Sequence, residues 1–385
     1  MSTASAPSGV PLLDLKRQYS SIRTEVLAAI ERVCDSQQFV LGPETQAFEQ
    51  EFAARCSAHA ATGCTSGTDA LWLALSGAGV RPGSKVLTTP FTFIATATSI
   101  VRAGCTPLFA DIDSETLNLD AAAARKVLEA QPKGSVSAIL PVHLYGQCAD
   151  VDALGELAKE FAIPLVEDAA QAYSAQWNGR TAGSLGRTAA FSFYPTKNLS
   201  AFGDAGCATS SDEESTARIR RLRNHGSDRR YYHTEIGWNA RIDGIQSAVL
   251  RVKLRHIDEW NARRASIAAL YDSLFADAGL TGGGKAPVRL TGTRPEAHHV
   301  HHQYVIRTAQ RDQLMRYLRD RKIGCEIFYP LGCHLQACFA NLGYKPGDLP
   351  LAERAAQEVV ALPMYAELRE DEAKTVVEAI ASFFA

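Results

Sequence analysis

Lys197 lies just past a strand-like run, within Phe191-Ser192-Phe193-Tyr194-Pro195-Thr196-Lys197-Asn198. A lysine at a turn is ordinarily a solvated charge. It becomes a Schiff-base nucleophile only in a pocket where its amine can lose its proton. The aromatic neighbours and the small residues Ala201, Gly203, Ala205 and Gly206 suit such a wall, and Ser192 offers a hydroxyl to an anion. Upstream, the apolar run Pro164-Leu165-Val166 ends in Glu167-Asp168-Ala169-Ala170-Gln171. An acid at a strand end often caps the next helix. Beside the nitrogen of a pyridine ring it instead favours the protonated ring, which then works as an electron sink. Gln171, one helical turn later, is placed to bond a ring hydroxyl.

Two further segments belong with these. Thr65-Ser66-Gly67-Thr68-Asp69-Ala70 opens a helical pattern with small and hydroxylated residues. Free N–H groups at a helix start, with the positive end of the dipole, make a phosphate site; Ser66 or Thr68 also makes an ordinary N-cap. In Thr92-Phe93-Ile94-Ala95-Thr96, Phe93 can stack on a planar ring or pack in a core.

What positions these residues is an alternation of helical and strand-like patterns from 60 to 210. Helices are expected over 70–76, 94–102, 120–130 and 151–161. Strands are expected over 85–89, 106–110, 136–143, 163–166, 189–193 and 206–209. Such alternation argues for an α/β fold, a mainly parallel sheet with helices on both faces, whose ligands gather at the carboxyl ends of the strands. The four segments all fall at such ends. An initial helix over 19–36, without a fixed packing partner, precedes this unit. One uninterrupted helix is expected over 241–277, then a Gly-rich connection at 279–285. A smaller α+β unit follows, with strands over 303–308 and 324–328 and helices over 310–321, 351–360 and 370–384. The division expected is a large domain, 1–255, and a small domain, 256–385.

Each segment alone is weak; their order is distinctive. With Val10-Pro11-Leu12-Leu13-Asp14-Leu15 and Phe39-Val40-Leu41-Gly42-Pro43, the sequence resembles the sugar aminotransferases of the DegT/DnrJ/EryC1/StrS group, from there to about residue 365. The resemblance implies the type I fold of pyridoxal-phosphate-dependent aminotransferases, with a central, mostly parallel seven-stranded sheet. It implies that Lys197 forms an imine with pyridoxal 5'-phosphate and that Asp168 pairs with the pyridine nitrogen. Gln171 would contact the ring hydroxyl and Phe93 would stack on the ring. Gly67, Thr68, Asp69 and Ser192 would hold the phosphate.

Gly237-Trp238-Asn239-Ala240-Arg241 resembles a segment whose Asn reaches the phosphate from the partner subunit, which implies a homodimer with shared active sites. Asn239 also suits a cap for the helix after Arg241. The basic, aromatic loop with His225, Arg229 and Tyr231, and the segments with Tyr329 and His334, resemble substrate-contacting parts; Arg forks bind diphosphate and Tyr stacks on a base. Gly332-Cys333 stands before His334 where an apolar residue such as Leu is usual.

The implied reaction moves an amino group from L-glutamate to a dTDP- or UDP-linked keto-hexose by a ping-pong scheme, in the making of an amino sugar for a polysaccharide or a glycosylated metabolite. Lys197 argues against the branch of the group that carries His there and dehydrates. Tyr194-Pro195-Thr196-Lys197-Asn198-Leu199 with Gly203-Asp204-Ala205-Gly206 resembles members acting at C3 more than those acting at C4. A regulatory homologue that kept the fold and lost catalysis is the non-enzymatic alternative.

Bulk composition agrees. The 385 residues suffice for more than one domain, and a net charge of −2 gives no basic field for nucleic acid or an anionic membrane. The start, 1–9, lacks the basic and apolar regions of a signal peptide and reads as a frayed tail. Apolar runs fall short of a membrane span. Nine cysteines without a CxxC pair suit a reducing compartment, so a cytoplasmic protein is expected. No metal is expected: Cys333, His334 and Cys338 lack further ligands, and a strand through His298, His299, His301 and His302 would turn only two of them to one face. A structural or sugar-contacting role is expected for His302.

Overall fold

Seven strands form one continuous sheet in the computed structural model, which describes residues 9–282 and 286–385. Their order across the sheet is Ala60–Cys64, Gly206–Ser210, Thr188–Ser192, Val166–Asp168, Val136–Leu140, Lys85–Thr88 and Thr106–Phe109. The two halves join through the parallel bridges Ile139 to Leu165 and Val142 to Asp168. Gly206–Ser210 alone runs against its neighbours; the other six strands point the same way. The strands are short and almost entirely buried, as expected where helices cover both faces. This is the α/β architecture expected, with the strand ends of Val166–Asp168 and Thr188–Ser192 side by side.

The helix after the first strand begins at Gly67, earlier than expected, because Ser66 is its N-cap: the Ser66 hydroxyl accepts from the Asp69 N–H at 3.1 Å. The first helix, Leu15–Ser36, is capped by Asp14 and buries Ile22, Val26, Ala29 and Val33 in the core under the sheet. The long helix expected over 241–277 is two helices, Gly244–Leu254 and Ile257–Asp277. Neither Gly nor Pro marks the break. The charges do: Arg251 and Lys253 close one helix and Asp258 and Glu259 open the next, each suited to the dipole end it faces.

A second apolar core gathers Tyr271, Phe275, Leu314, Leu318, Val376 and Ile380 behind a three-stranded antiparallel sheet of Arg289–Leu290, Tyr304–Arg307 and Val359–Leu362. Two expectations fail here. The run 324–328 is not a strand; Glu326 makes only a single bridge to Ala361. The helix expected over 351–360 is Pro350–Glu358, and Val359–Leu362 takes the central pairing with Tyr304–Arg307. Two consecutive valines and a leucine placed before Pro363 favour extended backbone there. The tail expected over 1–9, apart from Gly9, and part of the connection 279–285 lie outside the described residues. Among the described residues no helix is long and apolar enough to cross a membrane, and no group of three or more His, Cys, Asp or Glu is placed to hold a metal.

Candidate active site

A cavity of about 850 Å³ opens at the carboxyl ends of the parallel strands and reaches across to the second core. The helix Gly67–Gly77 points its N-terminus into it. Gly67 and Thr68 line the wall, and their N–H groups have no carbonyl one turn back to bond. Ser192, at the end of its strand, faces them. A Cβ on Gly67 would lie 2.5 Å from that of Ser192, and one on Gly206 would lie 2.3 Å from the Ser66 carbonyl oxygen. Only glycine allows this approach, which leaves two N–H groups and a hydroxyl around one small concavity. That donor set fits a phosphate.

The two acids of Glu167-Asp168 separate by strand alternation. Glu167 turns away from the cavity. Its carboxylate is fully buried and accepts from the N–H groups of Gly183, Leu185 and Gly186, each at 2.8 Å. His143 Nδ1 accepts the Ala149 N–H, so its proton sits on Nε2, which donates to Glu167 at 3.0 Å. Asp168 faces the cavity, 3% exposed. It accepts from Thr96 Oγ1 at 2.7 Å and from the Ala170 N–H at 3.2 Å. Burial pushes its carboxyl above the usual range, an effect the Thr96 bond opposes. A buried carboxylate held by two neutral donors fits a cationic partner such as a protonated pyridine nitrogen.

Lys197 lines the same cavity, and desolvation brings its ammonium down to about 8, against the opposing pull of Asp168. Its amine is therefore readily neutral and nucleophilic. Gln171 Nε2 donates to the Tyr329 hydroxyl at 2.9 Å, while its Oε1 accepts from the Tyr145 N–H at 2.6 Å. Phe93 is 58% exposed and lines the cavity, its ring centre 6.2 Å from that of Tyr329, within reach of a planar ring placed there. His302 also lines the cavity. Asn198 Nδ2 donates to Asn261 and Val300, both at 2.9 Å, so Asn198 Oδ1 accepts from His302 Nδ1 at 3.2 Å. Burial holds His302 well below the usual range, neutral, with Nε2 left without a proton.

Lys197, Asp168, Gly67, Thr68, Phe93, Gln171, Ser192 and Tyr329 thus meet in one place. Other expected site residues do not. Asp69 is not part of the lining: its N–H bonds Ser66, and its carboxylate takes the Thr65 hydroxyl and an ion pair with Arg102. His334 is 2% exposed, bonds Glu353 at 3.2 Å and packs on Phe109 and Tyr344. Gly332, two residues earlier, makes room for this inward turn: a Cβ there would lie 2.7 Å from the His334 ring. His225, Arg229 and Tyr231 lie on or beside an exposed hairpin outside this cavity, and the exposed Asn239, which bridges to Asn224, lies outside it too. Asn239 does not cap the following helix either; Asp243 does. Sequence reasoning missed Thr96, Tyr145 and Asp204. The i, i+4 spacing of Thr92 and Thr96, whose hydroxyls sit 2.9 Å apart, was a readable signal for the first.

A nucleophilic lysine, a buried acid for a ring nitrogen, a stacking aromatic and a phosphate cradle at the strand ends define a type I pyridoxal-phosphate-dependent aminotransferase. The chain belongs to the DegT/DnrJ/EryC1/StrS aminotransferase family, whose profile matches residues 20–381. It is 42% identical over 380 residues to the dTDP-3-amino-3,4,6-trideoxy-alpha-D-glucose transaminase of Streptomyces venezuelae, covering 99% of this chain and 97% of that one. It is 44% identical over 375 residues to a pleiotropic regulatory protein of Geobacillus stearothermophilus, covering 97% and 98%. The crystal structure of DesV from S. venezuelae superposes with a TM-score of 0.92 at 42% identity, covering 98% of this chain and 99% of that one.

Proposed function

We propose that this enzyme transfers an amino group from L-glutamate to the C3 keto carbon of a dTDP- or UDP-linked hexose. The observation that carries the reading is the meeting of Lys197 and Asp168 in a cavity whose far end holds a phosphate cradle. Pyridoxal phosphate, when bound, supplies the electron sink that makes a C–H bond beside nitrogen acidic. Lys197 is the residue that would hold the aldehyde, and its amine, once freed, would be the base that takes a proton from the donor and the acid that gives one back. Asp168 would keep the ring nitrogen protonated, and the Thr96 bond favours its charged form and aims it. Gln171, fixed by the Tyr145 N–H, would orient the ring hydroxyl, and Phe93 would stack on the ring. Gly67, Thr68 and Ser192 would hold the phosphate and so anchor the ring. The same residues would serve both half-reactions: one water would be consumed as the donor leaves as a keto acid with its nitrogen left behind, and one would be released as the keto-sugar takes that nitrogen.

The C3 assignment is supported by the S. venezuelae relative, whose name is that of a 3-amino-sugar transaminase. Action at C4 is the alternative the geometry leaves open, and the regulatory name of the Geobacillus relative favours a non-catalytic one. The complete Lys197, Asp168 and Gln171 set speaks for catalysis. No arginine lines the cavity among the described residues. We therefore assign Asn239 and the hairpin carrying His225, Arg229 and Tyr231 to the cavity of a partner subunit in a homodimer. Residues 1–255 then form the cofactor domain and 256–385 the smaller one. Nine thiols with no disulfide suit the cytoplasm.

The test is a panel of dTDP- and UDP-linked 3-keto and 4-keto hexoses with glutamate, read by 2-oxoglutarate release and by mass change of the sugar. A 3-keto substrate should give the highest kcat/KM. Preference for 4-keto sugars moves the reading to C4, and no amination of any member refutes it.

A further inference from the structure

The phosphate cradle carries an unfavourable charge of its own. Asp69 is the third residue of the Gly67–Gly77 helix, its side chain only 16% exposed, within one turn of Gly67 and Thr68. A carboxylate there occupies the positive end of the helix that an incoming phosphate also needs. A phosphate brings nearly two further negative charges. Arg102, the last residue of the helix Ala95–Arg102, pairs with Asp69. Its guanidinium is held over two indoles, 4.5 Å from the ring centre of Trp72 and 5.7 Å from that of Trp238. Such stacking keeps a weakly hydrated cation in place. The same short helix reaches the other end of the site: Thr96 bonds Asp168, and Ser99 donates to the Thr68 carbonyl at 3.2 Å.

We propose that Arg102 is a positioning residue for the cofactor phosphate: it neutralises Asp69, and so frees the start of the Gly67–Gly77 helix to hold a dianion. Arg102 does not line the cavity; it acts through Asp69. The proposal rests on the cofactor reading above and adds a charge balance to it.

The experiment measures binding of pyridoxal 5'-phosphate and of pyridoxal, which lacks the phosphate, to apoprotein by absorbance titration. Arg102→Ala should weaken pyridoxal 5'-phosphate binding roughly tenfold, the scale of a charge at a helix end in a partly buried setting. Pyridoxal binding should stay unchanged. Adding Asp69→Asn to Arg102→Ala should restore the lost affinity, because the repulsion goes while the indole stack stays broken. If Arg102 serves only packing, both ligands weaken together and the second change restores nothing, which overturns the proposal. Should Arg102→Ala not fold, Asp69→Asn alone decides: it must bind pyridoxal 5'-phosphate at least as tightly as wild type, and weaker binding overturns the charge argument. Wild type that bound neither ligand would instead defeat the cofactor reading.

Discussion

Lys197 and Asp168 illustrate how one cavity tunes two groups in opposite directions. Desolvation lowers the lysine to about 8 and raises the acid, and each opposes the effect on the other. The neutral amine is the nucleophile, so imine formation by apoprotein should speed up as pH rises through about 8 and level off above it. An ordinary lysine would keep accelerating to roughly 10.4; stopped-flow absorbance distinguishes the two. Asp168→Asn keeps the shape and removes the charge, and kcat should fall on the order of 10² to 10³-fold, the range for a lost electrostatic contact to the reacting system. Thr96→Val should cost roughly tenfold, since a hydrogen bond to a charged group contributes about 1.5 kcal/mol. Equal rates for both variants and wild type would remove Asp168 from the chemistry. The lysine, the acid and the glutamine were legible in the sequence because each lies at or shortly after the carboxyl end of a strand. The split between Glu167 and Asp168 needed the alternation of strand faces, and spacing alone does not carry the side-chain directions that turn Asp69 to Arg102 and His334 to Glu353.

At the scale of elements, the site depends on the Val166–Asp168 and Thr188–Ser192 strands staying in register. Glu167, itself fully buried, fastens the loop between them through three N–H groups and the buried His143. Glu167→Ala strands those donors, and a donor left unsatisfied in the interior costs about 1 to 3 kcal/mol. Urea unfolding should show that loss, and a change below about 1 kcal/mol would contradict the assigned role. The alternating helices and strands around the site were readable because their apolar periods are clear. The two errors of the second unit share a cause. The run 324–328 and the run 359–362 are both short and apolar, and periodicity cannot tell which one a sheet will pair. The tie was broken by tertiary packing, with Tyr304–Arg307 choosing Val359–Leu362. The split of the 241–277 helix was written in its charges, not in Gly or Pro.

For the whole molecule, the cavity joins residues of both cores, from Gly67 and Lys197 to Ile327 and Met364. The homodimer reading predicts that sites also join subunits. Lys197→Ala and Asn239→Ala are each expected to be inactive alone. Co-expressed with separable tags, they should yield hybrid dimers in which one cavity has its own Lys197 and the partner's intact Asn239. Activity in that purified hybrid is the expected result, and an inactive hybrid would place Asn239 outside the shared site. The account as a whole turns on a covalent link, and one measurement reaches it directly: borohydride reduction of the purified holoprotein, proteolysis and mass spectrometry of the modified peptide. A phosphopyridoxyl group on Lys197, absent from Lys197→Ala, is predicted. The same group found on another lysine, or no group on any lysine, would contradict it.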